Sequence, residues 1–135
     1  MSRLLSLLVV ALAVGFSPVY AQSSASDRVI GTWTGTYAGD GSGKYTMVFS
    51  REAADKIGGT VEAVSDDGNN FKAIFKSVVV EGTTVKMAYD NPDNGATEVQ
   101  LEATMDGGSM TGTWKSVDTG AKSVVASGTF TGSKH

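Results

Sequence analysis

Residues 31–37 read GTWTGTY, and the way this heptapeptide lies decides the fold. Successive side chains on a strand point to opposite faces. Gly31, Trp33, Gly35 and Tyr37 then share one face, and Thr32, Thr34 and Thr36 share the other. Threonine suits a solvated strand surface, whereas the Trp–Tyr face needs cover. An indole inside a narrow β structure must lie across neighbouring backbone, and glycines at alternate positions make the room and let the strand coil. The same spacing returns at Gly59 and Val61, at Gly112 and Trp114, and at Gly128 and Phe130. One strand design is therefore used several times.

Working outward, period-2 alternation broken by Gly, Asp, Asn and Ser every 8–12 residues predicts an all-β domain. Eight strands are expected, over 30–38, 44–51, 56–64, 71–80, 84–90, 97–104, 110–117 and 122–131. In the fourth, the two faces blur at KSVVV, residues 76–80, which predicts a bulge near Ser77. The connections GDGSG, EAAD, SDDGNN, EGT, NPDNG, MDGGS and DTG are all short, so sequential strands should pair as antiparallel hairpins. An open meander leaves two bare edges, and pairing the first strand with the last removes them. The expected fold is a single eight-stranded antiparallel up-and-down β-barrel over residues 30–134, with a two-sheet β-sandwich as the alternative. Its inward set is Trp33, Tyr37, Tyr45, Met47, Phe49, Ile57, Val61, Phe71, Phe75, Val85, Met87, Tyr89, Val99, Leu101, Met110, Trp114, Val124 and Phe130.

The barrel is preceded by a different kind of segment. Arg3 supplies a positive start, LLSLLVVALAVGF is a short apolar run, and SPVYA ends it with small residues at Val19 and Ala21. This is the layout of a cleaved signal peptide over residues 1–21. The run is shorter than the roughly 20 residues that span a bilayer, so no membrane anchor is expected. Without a cysteine there is no lipoprotein attachment and no disulfide. The expected location is periplasmic or secreted, with 22–29 as a flexible lead-in.

The G-x-W of Gly31 and Trp33 on the first strand of an eight-stranded meander resembles the calycins, the lipocalin- and avidin-type barrels. The resemblance implies that the tryptophan closes one end of the barrel against a basic residue from the last strand, for which Lys134 is the candidate. Gly31, Trp33, Lys134 and the repeated Trp114 are the expected barrel-closing residues. The chain lacks the large mouth loop, the trailing helix and the disulfides usual in lipocalins. It has two tryptophans and a glycine at position 35, so biotin binding is not implied.

Composition narrows the chemistry. The net charge of −3 provides no basic patch for nucleic acid. The sole histidine is His135, the last residue, and a Ser–His–Asp arrangement needs an imidazole held in place. Glu98 and Glu102 fall on the outward face with Gln100, as a solvated wall does. The Asp/Asn-rich stretches 66–70 and 90–95 lack EF-hand spacing and use residues that turns select for themselves. No enzyme activity, metal or cofactor is expected, and no oligomeric state is specified. The serious candidate is an interior pocket: Tyr37, Tyr45 and Tyr89 need partners for their hydroxyls, and Met47 and Met87 adapt to irregular shapes. The expected function is a non-enzymatic exported barrel that binds a small apolar or amphipathic ligand. The alternative is an interaction or inhibitor protein that reaches a protein partner through its loops and N-terminal arm.

Overall fold

The structure, a computed structural model, describes residues 27–135. The signal segment and most of the lead-in lie outside the described residues. Nine strands follow in order: β1 Gly31–Gly39, β2 Gly43–Ala53, β3 Lys56–Ser65, β4 Asn70–Ile74, β5 Ser77–Glu81, β6 Thr84–Asp90, β7 Thr97–Asp106, β8 Ser109–Asp118 and β9 Ser123–Lys134. They form one antiparallel sheet in the order β4-β3-β2-β1-β9-β8-β7-β6-β5. The sheet curls into a half-barrel around the apolar core.

The first and last strands do pair, from Trp33↔Lys134 through Gly39↔Gly128. The opening lies elsewhere, and it corrects both the strand count and the closure expected from sequence. The segment expected as one strand over 71–80 splits into β4 and β5, which become the two edges of the sheet. At the split the chain changes partners: Phe75 N donates to Gly59 O of β3 (2.9 Å), and Lys76 N donates to Ala88 O of β6 (2.8 Å). The inward positions change parity there, from Phe71, Ala73 and Phe75 to Val78 and Val80. The blurred faces of KSVVV record this break. Inside it, Phe75 stacks on Phe49 with centroids 5.5 Å apart and meets Tyr89 edge-on at 5.9 Å. Outside it, Lys76 Nζ reaches Asp90 (2.8 Å) and Glu98 (2.5 Å).

Fourteen of the expected inward side chains are buried, among them Trp33, Phe49, Val85 and Met110. Tyr37, Phe71 and Trp114 are half-buried and packed against the core. Val124 is 55% exposed, contrary to expectation. The β8–β9 register shifts between Ser116 and Val117, with Ser116 opposite Ala126 and Val117 opposite Val124. This bulge leaves Val125 extra, breaks the alternation counted back from Phe130 and exposes both valines.

One end of the curl is stoppered by the residues just before β1. Val29 is fully buried, and its carbonyl accepts a hydrogen bond from Trp33 Nε1 at 2.8 Å. Arg51 pairs with Asp27, and Lys134 Nζ donates to Arg28 O at 3.0 Å. Lys134 Nζ also lies 5.8 Å from the Trp33 ring centroid, within cation–π range. Gly31 makes this arrangement possible, because its φ of 132° suits only glycine and a Cβ there would overlap Lys134 Cε.

The outward threonine face gives a direct check on this assignment. Thr34 contacts only His135 through its hydroxyl, at 2.6 Å on the surface. Thr34→Val is expected to change stability by no more than about 0.5 kcal/mol in urea unfolding. A loss of several times that would mean the faces of β1 are inverted.

Candidate ligand-binding mouth

At the end opposite Trp33 the interior opens. β1 delivers Tyr37, β4 Phe71, β6 Tyr89 and β8 Trp114, and these four rings form the walls. They meet in two pairs: Tyr37 and Trp114 edge-to-face at 6.3 Å, and Phe71 and Tyr89 tilted at 5.9 Å. Behind them is an inner chamber of about 50 Å³ that also touches Tyr45, Met47, Val61, Ala63, Leu101 and Phe130. In front is an outer chamber of about 210 Å³ that adds Asn91, Asp93 and Ser116. The two share Tyr37, Phe71, Tyr89, Val99 and Trp114, so they lie back to back on the path from solvent to core.

Of the five residues expected to contact a ligand, Tyr37, Tyr45, Met47 and Tyr89 line this path. Met87 is buried in the core and touches neither chamber. Trp114 is not at the Trp33 end with Gly31 and Lys134 but at the mouth, the far end of the same interior. Its indole lies over Gly128, and Nε1 donates to Ala38 O at 3.2 Å. Asn91 and Asp93 were legible only as turn residues. Asn91 Oδ1 does serve the turn, accepting from Asp93 N at 2.9 Å, yet both residues also face the outer chamber.

The tyrosines differ in their surroundings. Tyr45 crosses the floor of the curl, with its hydroxyl against Gly132 and its ring edge-on to Phe130 at 5.8 Å. It is 5% exposed, and its hydroxyl is the one buried side-chain polar atom without a hydrogen-bond partner among the described residues. Burial pushes its pKa up to about 12. Burial raises Tyr89 further, with the Tyr37 phenol adding to the effect. Tyr37 is raised chiefly by burial; its hydrogen bond with Ser65 opposes this, and the charges of Asp66 and Asp67 reinforce it.

Two predictions arise here. A buried hydroxyl without a partner costs its desolvation, so Tyr45→Phe is expected to raise stability by about 1 kcal/mol; a loss of that size in urea unfolding would reveal a protein partner. The second concerns pH. In the unfolded chain the Tyr45 phenol ionises near 10, but in the fold it keeps its proton to about 12. The native state therefore binds more protons across that interval. Stability should be full below pH 10 and decline as pH rises toward 12. Circular dichroism should show alkaline unfolding that begins later in Tyr45→Phe.

Other groups do not converge in this way. A groove of about 790 Å³ runs over the outer faces of the β5–β9 half of the sheet, past Lys86, Glu98, Gln100, Glu102 and Lys115. Of its charges, Lys86 pairs with Glu102 across strands at 3.9 Å, and Glu98 pairs with Lys76 from the β4–β5 break. Contact with Lys76, and then with Gln100, holds the Glu98 carboxyl below its usual range. In the stretches 66–70 and 90–95, side chains bond back to the backbone, Asp67 Oδ1 accepting from Asn69 N and Asn94 Oδ1 from Ala96 N. Among the described residues no cluster of three or more His, Asp or Glu could hold a metal ion.

No family model matches the chain, and no curated protein is significantly similar to it in sequence. Solved structures do resemble it. EF1p2_mFAP2b bound to DFHBI is 18% identical, with a TM-score of 0.68, 84% of this chain and 98% of that one being covered. A redesigned β-barrel, mFAP1, also bound to DFHBI, is 16% identical with a TM-score of 0.65 over 82% and 98%. Tp0751 (pallilysin) of Treponema pallidum is 14% identical with a TM-score of 0.52 over 87% and 89%. At these identities the likeness is one of fold, and the fold is that of an antiparallel β-barrel.

Proposed function

We propose that this chain is an exported, non-enzymatic, calycin-like barrel that binds a small apolar or amphipathic molecule through the mouth bounded by Tyr37, Phe71, Tyr89 and Trp114. The observation that carries the reading is the mouth itself, where four aromatic rings wall an outer chamber that backs onto an apolar inner one, at the end of the curl that no buried side chain among the described residues stoppers. Each chamber is smaller than the roughly 300 Å³ at which sites for drug-sized molecules begin, so the ligand has few heavy atoms.

Two of the structurally similar barrels hold a small molecule, DFHBI, which fits a ligand-binding use of this architecture. Export rests on the sequence of residues 1–21. No helix among the described residues is long and apolar enough to cross a membrane. The G-x-W resemblance is supported by Lys134 lying over Trp33.

Indole fluorescence tests the site. Trp33 is fully buried at the stoppered end, so a ligand at the mouth should perturb Trp114 alone. A small apolar quencher of few heavy atoms, such as nitrobenzene, is expected to quench emission saturably, and Trp114→Phe should abolish the response. Quenching that survives in that variant, or that never saturates, would count against the mouth.

A further inference from the structure

The mouth has a charge as well as a shape. We propose that it is a site for a small organic ammonium ion, its cationic head seated among the rings of Tyr37, Phe71, Tyr89 and Trp114 beside the Asp93 carboxylate. This rests on the small-ligand reading of the same site and names the class of ligand.

Three observations converge. The outer chamber is walled by four aromatic rings, and a cation close to such rings is attracted by their quadrupoles, most strongly by tryptophan. Among the described residues no lysine or arginine lines either chamber, and Asp93 is the one charged lining residue. The connections at this end of the sheet carry Asp40, Asp66, Asp67 and Asp93, with Lys122 the only basic residue among them. Their field reaches the mouth, since Asp66 and Asp67 help to hold the Tyr37 phenol protonated. An anionic ligand would therefore meet repulsion at entry, and a cation would be drawn in. Asp40, Asp66 and Asp67 each accept a hydrogen bond, from Ser127 N, Ser42 Oγ and Asn69 N. These bonds fix their positions while leaving their charge. The outer chamber, at about 210 Å³, accepts a trimethylammonium-sized head, and the inner one accepts a short tail.

Three probes of nearly one shape separate charge from size: choline, 3,3-dimethylbutan-1-ol and 3,3-dimethylbutanoate. They are titrated into the labelled protein while backbone and indole N–H shifts are followed by NMR. Choline should bind at least about tenfold more tightly than the neutral alcohol, the gain expected of a partly desolvated cation–π site, and the carboxylate should bind more weakly still. The shifts should centre on Trp114 Nε1 and the amides of Tyr37, Tyr89 and Asp93. Asp93→Asn, on an exposed turn, should reduce choline's advantage several-fold and leave the alcohol unchanged. Equal affinity for the three probes, or preference for the carboxylate, with the same residues shifting, would overturn the ammonium assignment while leaving the small-ligand mouth in place. No saturable shift at the mouth from any probe would overturn both.

Discussion

Trp33→Ala is expected to lose about 3–5 kcal/mol of folding stability, the range for deleting a buried large aromatic side chain. The indole is fully buried and performs two tasks. It fills the stoppered end of the curl, and its Nε1–H satisfies the carbonyl of Val29 at 2.8 Å. Alanine leaves a cavity where rigid strands limit collapse, and it strands a backbone acceptor in a dry environment. Lys134 loses the ring beneath its ammonium as well. The midpoint of urea unfolding should fall with little change in slope, since the surface exposed on unfolding is nearly the same. A loss below about 1 kcal/mol would place the indole outside the core.

Gly128→Ala should be the more damaging of the small changes, at about 2–3 kcal/mol or more for overpacking. Gly128 sits between Gly39 of β1 and Trp114 of β8. A Cβ there would overlap the Ala38 carbonyl oxygen and the Trp114 indole. Both are partners in the Nε1–H to Ala38 O hydrogen bond. The added methyl thus meets backbone on one side and a ring that walls the mouth on the other. Besides lowered stability, Trp114 emission should shift to longer wavelength as the ring is pushed outward, and affinity at the mouth should fall. An unchanged spectrum with full stability would contradict the packing described for this strand pair.

Much of this was legible from alternation alone. GTWTGTY assigns Trp33 and Tyr37 to the interior and the threonines to solvent, and the same reasoning locates Tyr45, Met47, Tyr89, Val99 and Leu101. Period 2 carries this information as long as the register is unbroken. It fails where a break or bulge inserts a residue, which is why the split at Phe75 and Lys76 reads in sequence as one strand with a bulge, and why parity alone points Val124 inward. Pairing partners are also invisible locally. Nothing in KSVVV says that Phe75 N belongs to β3 and Lys76 N to β6. Val29, in a polar lead-in, becomes core only because the Trp33 side chain four residues later turns back to its carbonyl.

The site was legible in part for the same reason. Tyr37, Tyr45, Met47 and Tyr89 are inward by parity, but parity does not give height along the axis. Met87 is two residues from Tyr89 on the same face and sits below the chambers. Trp114 repeats the Gly-Thr-Trp of β1 on a strand running the same way, but it sits midway along β8 rather than near the strand's start, opposite Gly128, which in turn faces Gly39, and this carries it to the other end. Asp93 carries two roles, in a turn and on a chamber wall, and turn chemistry alone explains its residue type.

The claim on which the rest depends is that the mouth is occupied in the protein's own setting. Native mass spectrometry of the protein purified from its own host tests it most directly. A small-molecule adduct is expected, stripped by organic solvent and diminished in Gly128→Ala. A bare polypeptide mass under conditions that preserve weak complexes would contradict it.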